Sequence, residues 1–187
     1  MKRIQFAYLS AEDPRNKKVW SGTHYSIYKA LQSIGEVTIL GPYEPKWQVF
    51  ISKILNQIAL KFFNKRISYR HSKLVSKGYS SYFNSKLKNQ SFDYIIAPAA
   101  SCEIAYIETK VPIIYITDGT FAGCLGYHKS LSNLTKKSVE EGNLIEQQAI
   151  SKSQTIIVSS QWAADSVKND YKKHESAIQI IPYGANF

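Results

Sequence analysis

Short runs rich in β-branched and aromatic residues alternate along the chain with longer segments whose apolar positions fall three and four apart. Arg3 to Leu9 (RIQFAYL) predicts a first strand. A loop from Ser10 to Trp20 follows, with Asp13-Pro14 as a turn signal. Ser21-Gly22-Thr23 opens a helix to about Ile34, in which Ile27, Ala30, Leu31 and Ile34 recur at helical spacing and Gly35 is placed as the C′ residue. Val37 to Leu40 predicts the second strand, stopped by Gly41-Pro42. Such a βαβ unit implies a parallel sheet with right-handed crossovers.

The pattern then changes period twice. Trp47 to Phe63 predicts one helix with a broad apolar side, and Tyr69 to Leu87 a second, weakened at Gly78. Asp93 to Ala97 is the third strand. A short helix over Cys102 to Glu108 leads to the fourth, Pro112-Ile113-Ile114-Tyr115-Ile116. Leu134 to Lys152 reads as a helix and Thr155 to Val158 as the fifth strand. Ser159-Ser160 caps a helix from Gln161 to about Tyr171, and Ile178 to Ile181 is the last strand. About six strands alternating with helices predict a single α/β, Rossmann-like domain, a parallel sheet flanked by helices.

Chemistry concentrates at the end of the fourth strand, where the apolar run stops at Thr117-Asp118-Gly119-Thr120. This places a carboxylate at the carboxyl edge of the sheet, the edge at which open α/β sheets bind ligands. The rest of the chain reads as a scaffold holding Asp118 at that rim.

Composition narrows the function classes. No run approaches the roughly 18 apolar residues of a membrane span, and the N-terminus lacks the apolar core of a signal peptide. Two cysteines, Cys102 and Cys124, form no disulfide framework, which points to a reducing cytoplasm. No Cys and His pair has zinc spacing, so no metal site is expected. The charge is uneven: Lys46 to Phe92 holds ten Lys/Arg and no Asp or Glu, so the whole net charge of +10 sits there.

Several segments carry a resemblance. They are Trp20-Ser21-Gly22-Thr23, Ile116-Thr117-Asp118-Gly119-Thr120-Phe121, Glu146-Gln147-Gln148-Ala149, Ile157-Val158-Ser159-Ser160-Gln161-Trp162-Ala163-Ala164 and Ile181-Pro182-Tyr183-Gly184-Ala185-Asn186. In this order the chain resembles the N-terminal half of a GT-B-fold glycosyltransferase, most like the large retaining family numbered four. The resemblance implies an acceptor-side domain over residues 1–187, with a C-terminal donor-binding domain absent. It also implies transfer of a sugar from a nucleotide-sugar co-substrate to a hydroxyl of a sugar, lipid or polymer, with retention. No metal or other cofactor is implied. The chain alone would be an inactive half-site, and Tyr183-Gly184-Ala185-Asn186 would be the interdomain hinge. A stand-alone Rossmann-like module binding an anionic ligand or membrane is the alternative. A complete small transferase acting as a dimer is a third possibility.

Each candidate residue has a plainer reading. Asp118 in the cleft could orient a hydroxyl, accept its proton, or stabilise positive charge on the transferred sugar. Its plainer reading, ranked second, is a cap on the next helix or turn through the Thr120 N–H. In Trp20-Ser21-Gly22-Thr23, Gly22 lets a ligand approach the backbone and the helix start favours phosphate, whereas the plain reading is an N-cap by Ser21 or Thr23. A single glycine there argues against a dinucleotide cofactor. Gly119, Thr120 and His128, in the loop after the fourth strand, complete the candidate substrate set. His71 and His174 read as solvated, Glu103 and Glu146 as acids of the cleft or, in preference, of the surface, and Trp162 as core or interface. The basic segment over residues 46–90 is either a solvated helix pair or a surface for an anionic membrane, which would make the protein peripheral on the inner face. Without a recognisable nucleic-acid-binding motif, nucleic acid ranks behind both.

Overall fold

The computed structural model describes residues 3–88 and 90–184. Its six strands are β1 (Ile4–Tyr8), β2 (Gly35–Ile39), β3 (Tyr94–Pro98), β4 (Ile113–Thr117), β5 (Thr155–Val158) and β6 (Ile178–Ile180). All neighbouring pairs are parallel, in the order β2-β1-β3-β4-β5-β6. Seven helices connect them: α1 (Thr23–Ile34), α2 (Lys46–Phe63), α3 (Lys73–Leu87), α4 (Ser101–Ile104), α5 (Phe121–Cys124), α6 (Lys136–Lys152) and α7 (Gln161–Asn169). The fold is the expected α/β, Rossmann-like domain.

Alternation along the strands assigns their two faces. Ala7, Ile95, Ala97, Ile113, Tyr115, Ile156 and Val158 look to one side, where Phe83 and Leu87 of α3, Ile104 of α4, Ala149 and Ile150 of α6 and Val167 of α7 close the main core. Phe6, Ile96, Ile114, Ile116 and Ile157 look to the other, met by Ile27 and Leu31 of α1 and by Trp20 and Tyr183. One face is thus covered by four helices and the other by α1 and two aromatic side chains. Buried runs such as Ile113 to Ile116 are what a parallel sheet requires.

Several boundaries differ from the sequence expectation. Gly35 is not a left-handed helix cap: it is extended (φ −165°, ψ −167°) and begins β2. A Cβ there would lie 2.5 Å from the Ile4 carbonyl oxygen, so close approach of β1 to the start of β2 requires glycine, not handedness. The third helix starts at Lys73 because Ser72 caps it, accepting from the Val75 N–H. Gly78 lies within this helix, and its missing Cβ admits Pro45, the N-cap of α2, and Gln48 of α2 itself. Residues 105–108 leave the α-helix after the single turn of α4. Ser160 caps α7 as expected, accepting from the Ala163 N–H.

Strand order fixes where a ligand can sit. From β1 the chain moves outward to β2, then returns past β1 to β3. The connections on either side of the β1/β3 pair therefore diverge, which opens a crevice at the carboxyl ends of these strands.

Candidate functional site

A cleft of about 690 Å³ occupies this switch point, within the usual size range of small-molecule sites. Ser10, Ala11 and Glu12 after β1, Pro42, Tyr43 and Glu44 after β2, and Ala99, Ser101, Cys102 and Glu103 after β3 form its walls. Trp20 and His24 at the start of α1, and Arg70 and His71 before α3, complete it.

The backbone is strained at this rim. Trp20 (φ 47°), Ser21 (φ 51°) and Gly22 (φ 85°) are three successive left-handed residues, and Ala99 (φ 48°) is another. Non-glycine residues rarely adopt this region, at a cost of roughly 1 kcal/mol or more each, and such outliers cluster at functional sites. The left-handed run turns the chain so that the Trp20 indole reaches across to the end of β4. Its Nε1–H donates to Asp118 Oδ2 at 3.0 Å. Tyr183 meets the other side of Trp20 edge to face, with ring centroids 5.4 Å apart. Its hydroxyl is buried without a hydrogen-bond partner among the described residues, and burial together with the nearby Asp118 charge holds its pKa above the ordinary tyrosine value.

The cleft floor holds titratable groups that the sequence reading put at the surface. Glu103 is buried, and its pKa is pushed up to about 7 by burial, against the pull of Arg70 and the backbone N–H groups of Glu103 and Ala11. A carboxyl group titrating near neutrality in a cleft suits proton transfer. His71 is half-buried at the cleft wall rather than on the open surface. Its ring sits 5.0 Å from the Phe121 ring, Nδ1 pairs with the Ser68 hydroxyl at 2.9 Å, and burial and then Arg70 lower its pKa to about 4. His24 is buried, with Nδ1 3.0 Å from the Tyr8 hydroxyl, and burial holds its pKa at about 4. Both histidines are neutral at pH 7.

Glu146 is also buried, and its place explains the Asp118 loop. From α6 it reaches under the end of β4, where the Tyr115 hydroxyl donates to it at 2.9 Å. Burial raises its pKa to about 7, opposed by hydrogen bonds from Tyr115, Ser101 and the Phe121 N–H. The acid therefore ties α6 to the first residue of α5, three residues beyond Asp118.

The expected site residues divide into two groups. Trp20, Gly22, Asp118 and Tyr183 come together at the β1–β4 rim. Gly22, not Ser21 or Thr23, is the N-cap of α1, and it makes no side-chain cap hydrogen bond. Thr120 is buried, capping α5 through the Gly123 N–H and bonding the Ser166 hydroxyl, so its side chain faces the protein and not a ligand. It does not engage Asp118 in the turn cap considered above; Asp118 is held by Trp20. Gly119 lies under Trp162, whose ring would stand 3.1 Å from an added Cβ. His128 is exposed and does not line the cleft. Gly184 is exposed, with open space around it, and the Asn186 hinge position lies outside the described residues. Among the described residues there is no group of three or more His, Cys, Asp or Glu placed to hold a metal ion.

Fold and cleft define an α/β protein with an all-parallel sheet and, at its switch point, a crevice of the size that small-molecule sites have. No protein-family model matches the chain, and a search of curated proteins finds no significant match.

Proposed function

We propose that the chain is the acceptor-side domain of a sugar-nucleotide-dependent glycosyltransferase. One observation carries this reading. Three of the segments that bear the resemblance, separated by 98 residues in the case of Trp20 and Asp118, converge on one contact of Trp20 with Asp118 and Tyr183 beside the cleft. Their spacing along the chain does not require this meeting.

In this reading the acceptor lies in the cleft and the donor enters from the Asp118 side. Asp118 orients the reacting hydroxyl, and Trp20 fixes the carboxylate by holding one oxygen. Retaining transfer proceeds by front-face displacement, with the donor phosphate assisting deprotonation and the protein contributing position and charge. Glu103 binds acceptor hydroxyls as a protonated donor below neutrality and as an acceptor above it.

The test is turnover of a panel of sugar nucleotides by the protein at its natural length. Asp118→Asn is expected to lower kcat at least about 100-fold, the scale of a lost positioning or charge-stabilising group. Comparable turnover by Asp118→Asn and wild type would exclude the role. Binding of an anionic ligand by these 187 residues with no response to any sugar nucleotide would favour a non-catalytic binding module instead.

A further inference from the structure

Helix α2 is inside out for a helix at a water-facing surface. Its fully buried positions are small, Val49, Ser52 and Ala59, with Ile51 and Leu60 half-buried. The side turned outward carries the large ones. Trp47 is 68% exposed, Phe50 53%, Ile54 44%, Leu55 47%, Ile58 45% and Phe62 69%. At about 100° per residue these six fall within one continuous stripe opposite the buried face. A surface helix places its apolar stripe against the core, so this stripe has no partner within the described fold.

The anchorage of α2 shows that the outward stripe is not a misplaced core. Ser52 and Ser72 hydroxyls pair at 3.2 Å, the Ile67 N–H donates to Asn56 Oδ1 at 2.8 Å, and Asn133 Nδ2 donates to the Asn64 carbonyl at 2.8 Å. Gly78 of α3 admits Gln48 at close range. The loop after α2 is pinned to the segment before α6 by backbone bonds from Arg66 to Asn133 and from Thr135 to Arg66. Rotating the stripe inward would break this set.

Charge identifies the occupant. Lys46 and Lys53 flank one edge of the stripe and Lys61 lies at its C-terminal end, all three exposed, with Lys65 just beyond. No acid occurs anywhere from Lys46 to Phe92. An apolar stripe bordered by lysines alone fits an interface with an apolar interior and an anionic surface. A partner protein would ordinarily meet charges of both signs.

We propose that α2 lies in the surface of an anionic lipid bilayer, with the stripe in the acyl boundary and the lysines at the headgroups. The cleft then sits at the membrane surface, because the segments on both sides of α2 line it: Tyr43 and Glu44 before the helix, Arg70 and His71 after it. An amphiphile is the class of acceptor such a cleft receives. Docking does not depend on the transfer reading, since it needs no sugar nucleotide.

The experiment is co-sedimentation of the 187-residue protein with vesicles of phosphatidylcholine alone or mixed with phosphatidylglycerol. Binding is expected only with phosphatidylglycerol and falls as salt rises. At about 1 kcal/mol per lysine near the surface, Lys53→Glu with Lys61→Glu and Lys65→Glu weakens partitioning at least about 100-fold. Trp47→Phe keeps binding but loses most of the fluorescence quenching by brominated lipid. All four residues are exposed, and unchanged circular dichroism confirms intact folding. Absent vesicle binding overturns the proposal, as does binding equal on neutral and anionic vesicles. Concentration-dependent self-association abolished by Phe50→Asp, without vesicle binding, would assign the stripe to a second copy. Loss of docking leaves the transfer assay in detergent unaffected, so the two readings fail separately.

Discussion

Glu146→Gln isolates the buried acid beneath the Asp118 loop. Burial raises the Glu146 pKa from 4.5 to about 7. The folded state thus keeps a proton that the unfolded chain has lost. The contribution to stability is fully present below pH 4.5 and is lost as pH rises to about 7. At about 1.36 kcal/mol per pH unit, this interval is worth about 3 kcal/mol. Glutamine stays neutral and can still accept from the Tyr115 hydroxyl. Its amide meets the Phe121 N–H donor poorly, but that cost is the same at every pH. The stability of Glu146→Gln relative to wild type is therefore expected to improve by about 3 kcal/mol between roughly pH 5 and pH 8. For a domain of this size that is a relative rise in Tm of about 6–12 °C. Thermal melts of both proteins across this range read it directly. Wild type alone would not, because His24 and His71, held at about 4, add stability as pH rises towards 6.5 while Glu103 acts in the same direction as Glu146. A difference between the two proteins that stays constant with pH would refute a protonated Glu146 in the fold.

Three further outcomes follow from local geometry. Gly142→Ala would place a Cβ 2.1 Å from the buried Phe121 ring. Helix propensity alone favours alanine by about 1 kcal/mol, but overpacking prevails and a net loss of about 2 kcal/mol is expected in denaturant titration; a gain would refute the contact. Ala99→Gly relieves a left-handed alanine at the cleft rim and is expected to leave stability unchanged or raise it by up to about 1 kcal/mol, whereas a loss above 1 kcal/mol would show that Ala99 is unstrained. Glu103→Gln is expected to remove the inflection near pH 7 from kcat/KM or from ligand affinity, and an inflection unchanged in the variant would assign it to another group.

The sequence made the centre of the sheet easy to read because β3, β4 and β5 are largely buried apolar runs ended by a polar or breaking residue, whereas the edge strands β2 and β6 are short and mostly half-buried or exposed. Thr155 to Val158 matches residue for residue, and α1, α2, α6 and α7 begin within two residues of their expected starts. Helix ends were harder. Ser72 competes with Tyr69 for the start of α3, and only the Val75 hydrogen bond decides between them. Asp118 was legible because a strand end projects it. The cleft floor was not, because its residues come from several separated segments and a charged letter carries no burial of its own. Signals for the acids did exist. Glu103 is the lone charge from Ala97 to Ile107, and Glu146 has Ile145, Ala149 and Ile150 beside it on the helix. Both patterns place an acid on a buried stripe. His71 offered no such cue, since it stands among Arg70, Lys73 and Lys77.

The unequal cover of the two sheet faces bears on how the molecule opens. Four helices protect the strands from one side. The opposite side is closed by α1 alone, with the Trp20 and Tyr183 rings as its margin. Detaching α1 would uncover this side and carry His24 and the left-handed Trp20 to Gly22 turn away from Asp118. Amide hydrogen exchange should be faster in α1 than in α6 or β4 by several orders of magnitude. Equal protection would show the two faces to be one cooperative unit. In this architecture, breathing of the fold and access to the cleft are the same motion.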